Sequence, residues 1–295
     1  MAYYPQSAAG LGAITYPVGP TANVTYPTSG SANTKGSYTQ LAASASITSN
    51  AAIIEFTFID TASARQYIMD IATGAGGAEV VKIPDLMGDA AMGGGGNSGD
   101  AMGHYQLPWK VASGTRIAAR FACTSASCIL GVGLTLIAAG GVDGITSFTT
   151  YGTDTSDSGG TSVDPGGTAD TKGSYSEVSA STSAVAQLLM LMFSLKANSG
   201  PTNTTWAVDI ATGAGGAEVV LIPDVRMSTA SLANSTALAL PRSATMLTYI
   251  AASTRLAVRA SSIINDATDR LFDISIMAGT APAETSASGG AWAYA

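Results

Sequence analysis

Apolar and polar residues alternate through much of the chain. In Ala52–Phe58, Ile54, Phe56 and Phe58 fall on one side and Glu55 and Thr57 on the other, the period-two signature of a strand with one buried face. Gln66–Ile71 and Glu79–Ile83 are short and rich in β-formers, Thr115–Phe121 sets Ile117 and Ala119 against Arg116 and Arg120, and Ile129–Ile137 closes the series. A second series follows in Gln187–Leu195, Thr204–Ile210, Ala217–Ile222, Thr254–Ala260 and Leu271–Met277. Leu188–Phe193 is apolar at every position and taken alone would pass for helix, but its length and its match to Ile53–Phe58 favour strand. With Gly, Ser, Asn and Pro breaks between the runs, the pattern predicts an all-β chain of two tandem β-sandwich, jelly-roll-like domains.

Two series imply a repeat, and self-comparison finds one. Asp70–Asp85 recurs as Asp209–Asp224 with a single difference, Lys82 against Leu221. Thr115–Arg120 matches Thr254–Arg259 at the same spacing, and Thr34–Tyr38 matches Thr171–Tyr175 nearly so. The reading divides the chain into an extended arm (1–32), a first sandwich (33–140), a linker (141–168), a second sandwich (169–281) and a tail (282–295). The arm carries Tyr4, Tyr16 and Tyr26, each followed by proline. Proline removes a donor and forces the residue before it into extended backbone, so the arm is expected to lie outside the domain cores, against a neighbouring surface. The linker is rich in Gly, Ser, Thr and Asp and is expected to be a flexible spacer. Trp292 and Tyr294 make the tail a candidate docking anchor.

Composition narrows the function classes. Only 11% of residues are charged, too thin a charged coat for a freely soluble monomer, so a homo-oligomer is expected. The net charge of −7 is concentrated outside the two repeats, in Asp143, Asp154, Asp157, Asp164 and Glu284. Without a basic patch, nucleic acid is not an expected partner. No apolar stretch is long enough to span a bilayer as a helix, and the first residues do not read as a signal peptide, so neither membrane nor secretion is expected. Cys123 and Cys128 are the only cysteines. Their spacing permits a local disulfide, but they are read as free thiols.

Candidate chemistry is sparse. The loop Thr73–Gly77 is glycine-rich, but neither Lys-Ser/Thr nor a helix follows it, so a tight connection is expected rather than a phosphate site. Asp70, Glu79 and Asp85 repeat as Asp209, Glu218 and Asp224. Paired carboxylates suit glycoside cleavage at the right separation, yet hydrogen bonding to loop amides and a turn at each Pro-Asp step serve equally well. His104, the sole histidine, is read as an exposed loop residue. Arg116, Arg120, Arg255 and Arg259 project from outward strand faces, to meet either a neighbour or the domain's own carboxylates. No catalytic, cofactor or metal residues are assigned, and a non-enzymatic chain is expected.

The string Asp70–Leu86 followed by Gly114–Arg120, repeated as Asp209–Val225 and Ser253–Arg259, resembles a unit of tailed-bacteriophage structural proteins. The repeated motif in this chain carries Gly74, Gly76, Gly77 and Pro84, with Gly213, Gly215, Gly216 and Pro223 in the second copy; Val225 and Ser253 depart from the phage unit. The resemblance implies a virion component assembled in the bacterial cytoplasm. The expected role is a capsid-decorating (cement) protein, a trimer by family likeness, whose partner is the major capsid protein or another virion protein. A tail fibre or head spike is the alternative, and a polysaccharide-degrading enzyme a weaker one.

Overall fold

The computed structural model describes residues 13–16, 27–58, 65–90, 102–138, 144–195, 204–232, 235–239, 243–264 and 271–280. Among them are eighteen strands and no helix. The first half supplies β1 (Ala13–Tyr16), β2 (Thr39–Ala42), β3 (Ala51–Phe58), β4 (Arg65–Thr73), β5 (Val80–Ala90), β6 (Met102–Leu107), β7 (Ile117–Cys123) and β8 (Leu130–Ile137). The second supplies β9 (Phe148–Tyr151), β10 (Thr161–Val163), β11 (Ser176–Ser179), β12 (Ala186–Leu195), β13 (Thr205–Thr212), β14 (Val219–Leu232), β15 (Ser235–Ala239), β16 (Ser243–Ile250), β17 (Leu256–Ser262) and β18 (Phe272–Gly279).

These form four antiparallel sheets. The first half builds β1-β8-β3-β6 and β2-β7-β4-β5; the second builds β10-β18-β12-β16, with β9 also on β18, and β11-β17-β13-β14-β15. The order β2-β7-β4-β5 thus reappears as β11-β17-β13-β14, and β8-β3-β6 as β18-β12-β16. Each pair of sheets closes on an apolar core, as the all-β sandwich expectation requires. In the first, Phe56 lies 5.9 Å from Tyr67 and 5.1 Å from Tyr105, centroid to centroid. In the second, Phe272 is 5.5 Å from Trp206 and 6.2 Å from Phe193.

The first core does not end at its own sheets. Leu188, Met190, Met192 and Met277, on the outer face of β12 and β18, join the same buried cluster as Ile68 and Met87 of β4 and β5. Their neighbours Leu189, Leu191, Phe193 and Ile276 face the second core. Two sandwiches are therefore stacked, and the sheets meeting at the junction are buried on both faces. That explains the unbroken apolar run Leu188–Phe193: like a strand of a covered sheet, it has no solvent side to mark with polar residues. The equivalent outward position on β3 is Glu55, which partners Gly133, where β12 has Met190 partnered by Met277. Burying each such side chain contributes about 1.5–3 kcal/mol before entropy is counted.

The structure corrects three expectations. Of the segment 141–168, the described residues 144–168 are not a flexible spacer. Its β9 and β10 occupy one edge of β18, Ile145 exchanges backbone hydrogen bonds with Pro108 and Lys110, and the Thr150 hydroxyl donates to the Pro84 carbonyl at 2.6 Å. Gly159 and Gly160 fit this seam because they lack side chains: a Cβ on Gly159 would meet Asp273 Oδ2 at 2.7 Å, and one on Gly160 the Met87 sulphur at 2.9 Å. Nor does the arm stand wholly apart. β1 pairs with β8, the Ser29 amide donates to the Cys128 carbonyl, and the Leu130 amide donates to the Pro27 carbonyl. Arm and linker play the same part, each covering the free edge of its half's β8 or β18, with Tyr16 opposite Leu134 and Thr149 opposite Ala278. Finally, Pro84-Asp85 and Pro223-Asp224 are not turns. They are bulges inside β5 and β14, marked by register shifts opposite Asp70 and Asp209. Tyr4, Tyr26, Trp292 and Tyr294 lie outside the described residues, as do the side chain of Tyr16 and the tail beyond Thr280.

Candidate functional site

The three repeated segments converge on one place in each half. Asp85 and Asp224 take left-handed backbone, φ 53° and 51°, which aspartate tolerates better than most residues. Proline before each bulge withholds an N–H where the ladder is interrupted. The bulge turns the Asp85 amide onto Asp70 Oδ1 at 3.2 Å, and the Asp224 amide onto Asp209 Oδ1 at 3.0 Å. Lys35 Nζ bridges Asp70 (2.6 Å) and Asp85 (2.5 Å); Lys172 bridges Asp209 (2.7 Å) and Asp224 (2.9 Å). Arg120 Nε donates to Asp70 Oδ2 at 3.0 Å while its guanidinium lies over Tyr38, 4.5 Å from the ring centroid. Arg259 repeats this on Asp209 and Tyr175 at 3.0 and 4.7 Å. Lys-Gly-Ser-Tyr, the Pro-Asp bulge and the second arginine of each Thr-Arg segment are thus parts of one ionic clasp.

Charge within the clasp is matched locally. Burial alone would raise the Asp209 carboxyl, but hydrogen bonds from Lys172, the Asp224 amide and Arg259 outweigh it and hold its pKa below the ordinary value. Burial pushes the Tyr38 hydroxyl up, against the opposing Arg120 charge.

A second brace closes each glycine loop. Arg116 Nη1 donates to Glu79 Oε1 and to the Gly74 carbonyl, both at 3.0 Å, and Glu79 Oε2 accepts from the Gly77 amide at 2.9 Å. Arg255, Glu218, Gly213 and Gly216 repeat the arrangement at 3.0–3.1 Å. For Glu79, burial works upward but the amide and Arg116 hydrogen bonds prevail and lower its pKa; for Glu218 its own backbone amide is the leading cause of the same shift. Gly74 and Gly77 have positive φ, 116° and 82°, and a Cβ on Gly74 would strike the Ala78 carbonyl at 2.7 Å. Nothing in the structure accounts for glycine at 76 or 215. The loops lead into β5 and β14, so each is a hairpin connection with exposed Ala75–Ala78 and Ala214–Ala217 at its tip.

Of the carboxylates singled out in the sequence, Asp70 and Asp85 share one ammonium, and Glu79 belongs to the separate loop brace. All four arginines pair with carboxylates of their own half. His104 is on strand β6 rather than in a loop, 3.6 Å from Glu55. Cys123 and Cys128 are free and buried. Among the described residues, no three His, Cys, Asp or Glu side chains gather into a metal-holding group. Sequence reasoning missed the buried polar contact at the junction, where Gln66 Nε2 donates to Ser194 Oγ at 3.0 Å and Asp273 Oδ2 at 2.5 Å. A glutamine, a serine and an aspartate each next to an apolar run were its only signal.

No protein-family model matches the chain, and no curated protein does. Among solved structures it is similar to PNGF-II, with TM-score 0.39, 9% identity, and coverage of 92% of this chain and 66% of that one. It is also similar to PNGase F, described as a glycosylasparaginase from Flavobacterium meningosepticum, with TM-score 0.38, 10% identity, and coverage of 92% and 96%. This neighbour corrects the expectation of a non-enzymatic chain, which is withdrawn. Likeness at this level carries no activity across to the present chain.

Proposed function

We propose that this chain is a structural component of a tailed-bacteriophage particle, a decoration protein that binds across subunits of the capsid shell. The observation that carries the reading is the twice-present motif Asp70–Leu86 with Gly114–Arg120, which resembles a unit of phage structural proteins. The geometry lends support by giving that motif a mechanical role, since clasp and loop brace fasten β4 or β13 to its neighbours in each half. Two sandwiches stacked on a shared apolar junction suit a protein that spans subunit boundaries and raises the cost of separating them. The identical exposed hairpin tips at Ala75–Ala78 and Ala214–Ala217 favour a second reading, a fibre or spike that presents them to a receptor.

Antibody raised against the chain and imaged on purified particles of the encoding phage tests both. Labelling across the whole shell supports decoration. Labelling only at the tail or vertices supports the fibre or spike, and particles without label refute both readings.

A further inference from the structure

Strand β16 ends its sheet, pairing with β12 alone among the described residues. Its residues alternate in exposure. Met246 packs against the second core, while Leu247 and Tyr249 stand 63% and 64% exposed. Leu247 is the cross-strand partner of Leu188, and Leu188 is buried in the junction between the two sandwiches. The apolar face of the junction therefore runs past the cover given by the first half and out onto an open edge. The matching strand of the first half, β6, has a polar residue at the place of Leu247: Gln106 partners Ile53 as Leu247 partners Leu188. Solvent exposure is satisfied by glutamine on one edge, so leucine on the other, with an exposed tyrosine two residues on, needs a different reason.

Edge strands are normally protected from pairing by lysine, proline or inward charges. The sequence Ser-Ala-Thr-Met-Leu-Thr-Tyr-Ile has none of these. We propose that β16 is a self-association edge, where a second copy of this chain pairs its own β16 antiparallel about a two-fold axis. Such pairing is isologous, so one uncharged strand suffices for both sides and no like charges are opposed. It joins two β10-β18-β12-β16 sheets into one. Leu247 and Tyr249 of each copy then cover those of the other, continuing the buried junction across the axis. The interface is independent of the particle reading and holds whatever the assembled protein does.

Sedimentation equilibrium of the full chain tests it, with the expected species at twice the chain mass of 29.4 kDa. Leu247→Glu with Tyr249→Glu places charges in the interface and should raise the dissociation constant about 100-fold or more, leaving the circular dichroism spectrum unchanged. Leu247→Cys, which keeps the strand intact, should form an intermolecular disulfide on mild oxidation. A monomeric parent chain overturns the proposal. So does an oligomer indifferent to the double glutamate variant, or a Leu247→Cys chain that does not cross-link to itself.

Discussion

Replacing Asp70 by asparagine keeps the volume of a side chain only 2% exposed but removes the charge on which three donors converge. The amide offers one acceptor oxygen and must turn its NH₂ toward either Lys35 or Arg120. A hydrogen bond to a charged group is worth about 1.5–3 kcal/mol, and breaking a buried pair costs about 3–5 kcal/mol. Lys35 and Arg120 retain 20% and 33% exposure, so water partly replaces the lost partner and the lower end applies, about 2–3 kcal/mol. At about 2–4 °C per kcal/mol for a unit of this size, the melting temperature should fall by about 4–12 °C. Differential scanning calorimetry at neutral pH measures it. Asp209→Asn should cost less, because Asp224 is 59% exposed where Asp85 is 18% exposed, and the second clasp is already more open to water. The double variant Lys35→Met with Asp70→Asn should lose clearly less than the two single losses added, since both remove one interaction. A melting temperature for Asp70→Asn within about 1 °C of the parent would refute the clasp as a source of stability.

Asp209 has a depressed pKa in the folded protein, so its stabilisation is complete above the unfolded value near 4 and is lost as pH falls through the folded value. The acid unfolding curve of Asp209→Asn should accordingly be flatter than the parent's below about pH 4. Met190→Glu puts an unpartnered charge into the junction and should separate or unfold the two halves, read as a second calorimetric transition or a fall in midpoint of more than about 4 °C. Gly160→Val, with Ile274 O already 2.5 Å from where a Cβ would sit, should loosen the same seam, visible as faster proteolysis between residues 144 and 175. Deleting residues 1–32 strips β1 from β8 and should lower the melting temperature by more than about 4 °C; an unchanged midpoint would show that the pairing adds nothing.

The sequence announced the parts that repeat. Period-two runs located most core strands, and the matched segments marked the clasp before its geometry was known, although their separation along the chain hid that Lys35, Asp70, Asp85 and Arg120 touch. Edge strands were harder. Among the described residues β1, β9 and β10 pair on one side only, so Tyr-Pro and Gly-Asp-Ser stretches could serve and read as arm and linker. Pro84-Asp85 looked like a turn because proline and aspartate favour turns, while a bulge asks for the same two residues. The stacking lay in differences between the copies, Glu55 against Met190 and Met87 against Arg226, and similarity searching passes over differences.

The doubly covered junction has a consequence for synthesis. A ribosome adds about 5–20 residues each second, so Ile68 and Met87 leave the tunnel many seconds before Met190 exists to meet them. During that interval the leading sandwich is complete except for a greasy outer wall, and on a crowded polysome the nearest similar wall belongs to another nascent chain. Slow translation of the trailing half, or its truncation, should therefore yield aggregates seeded by folded leading halves.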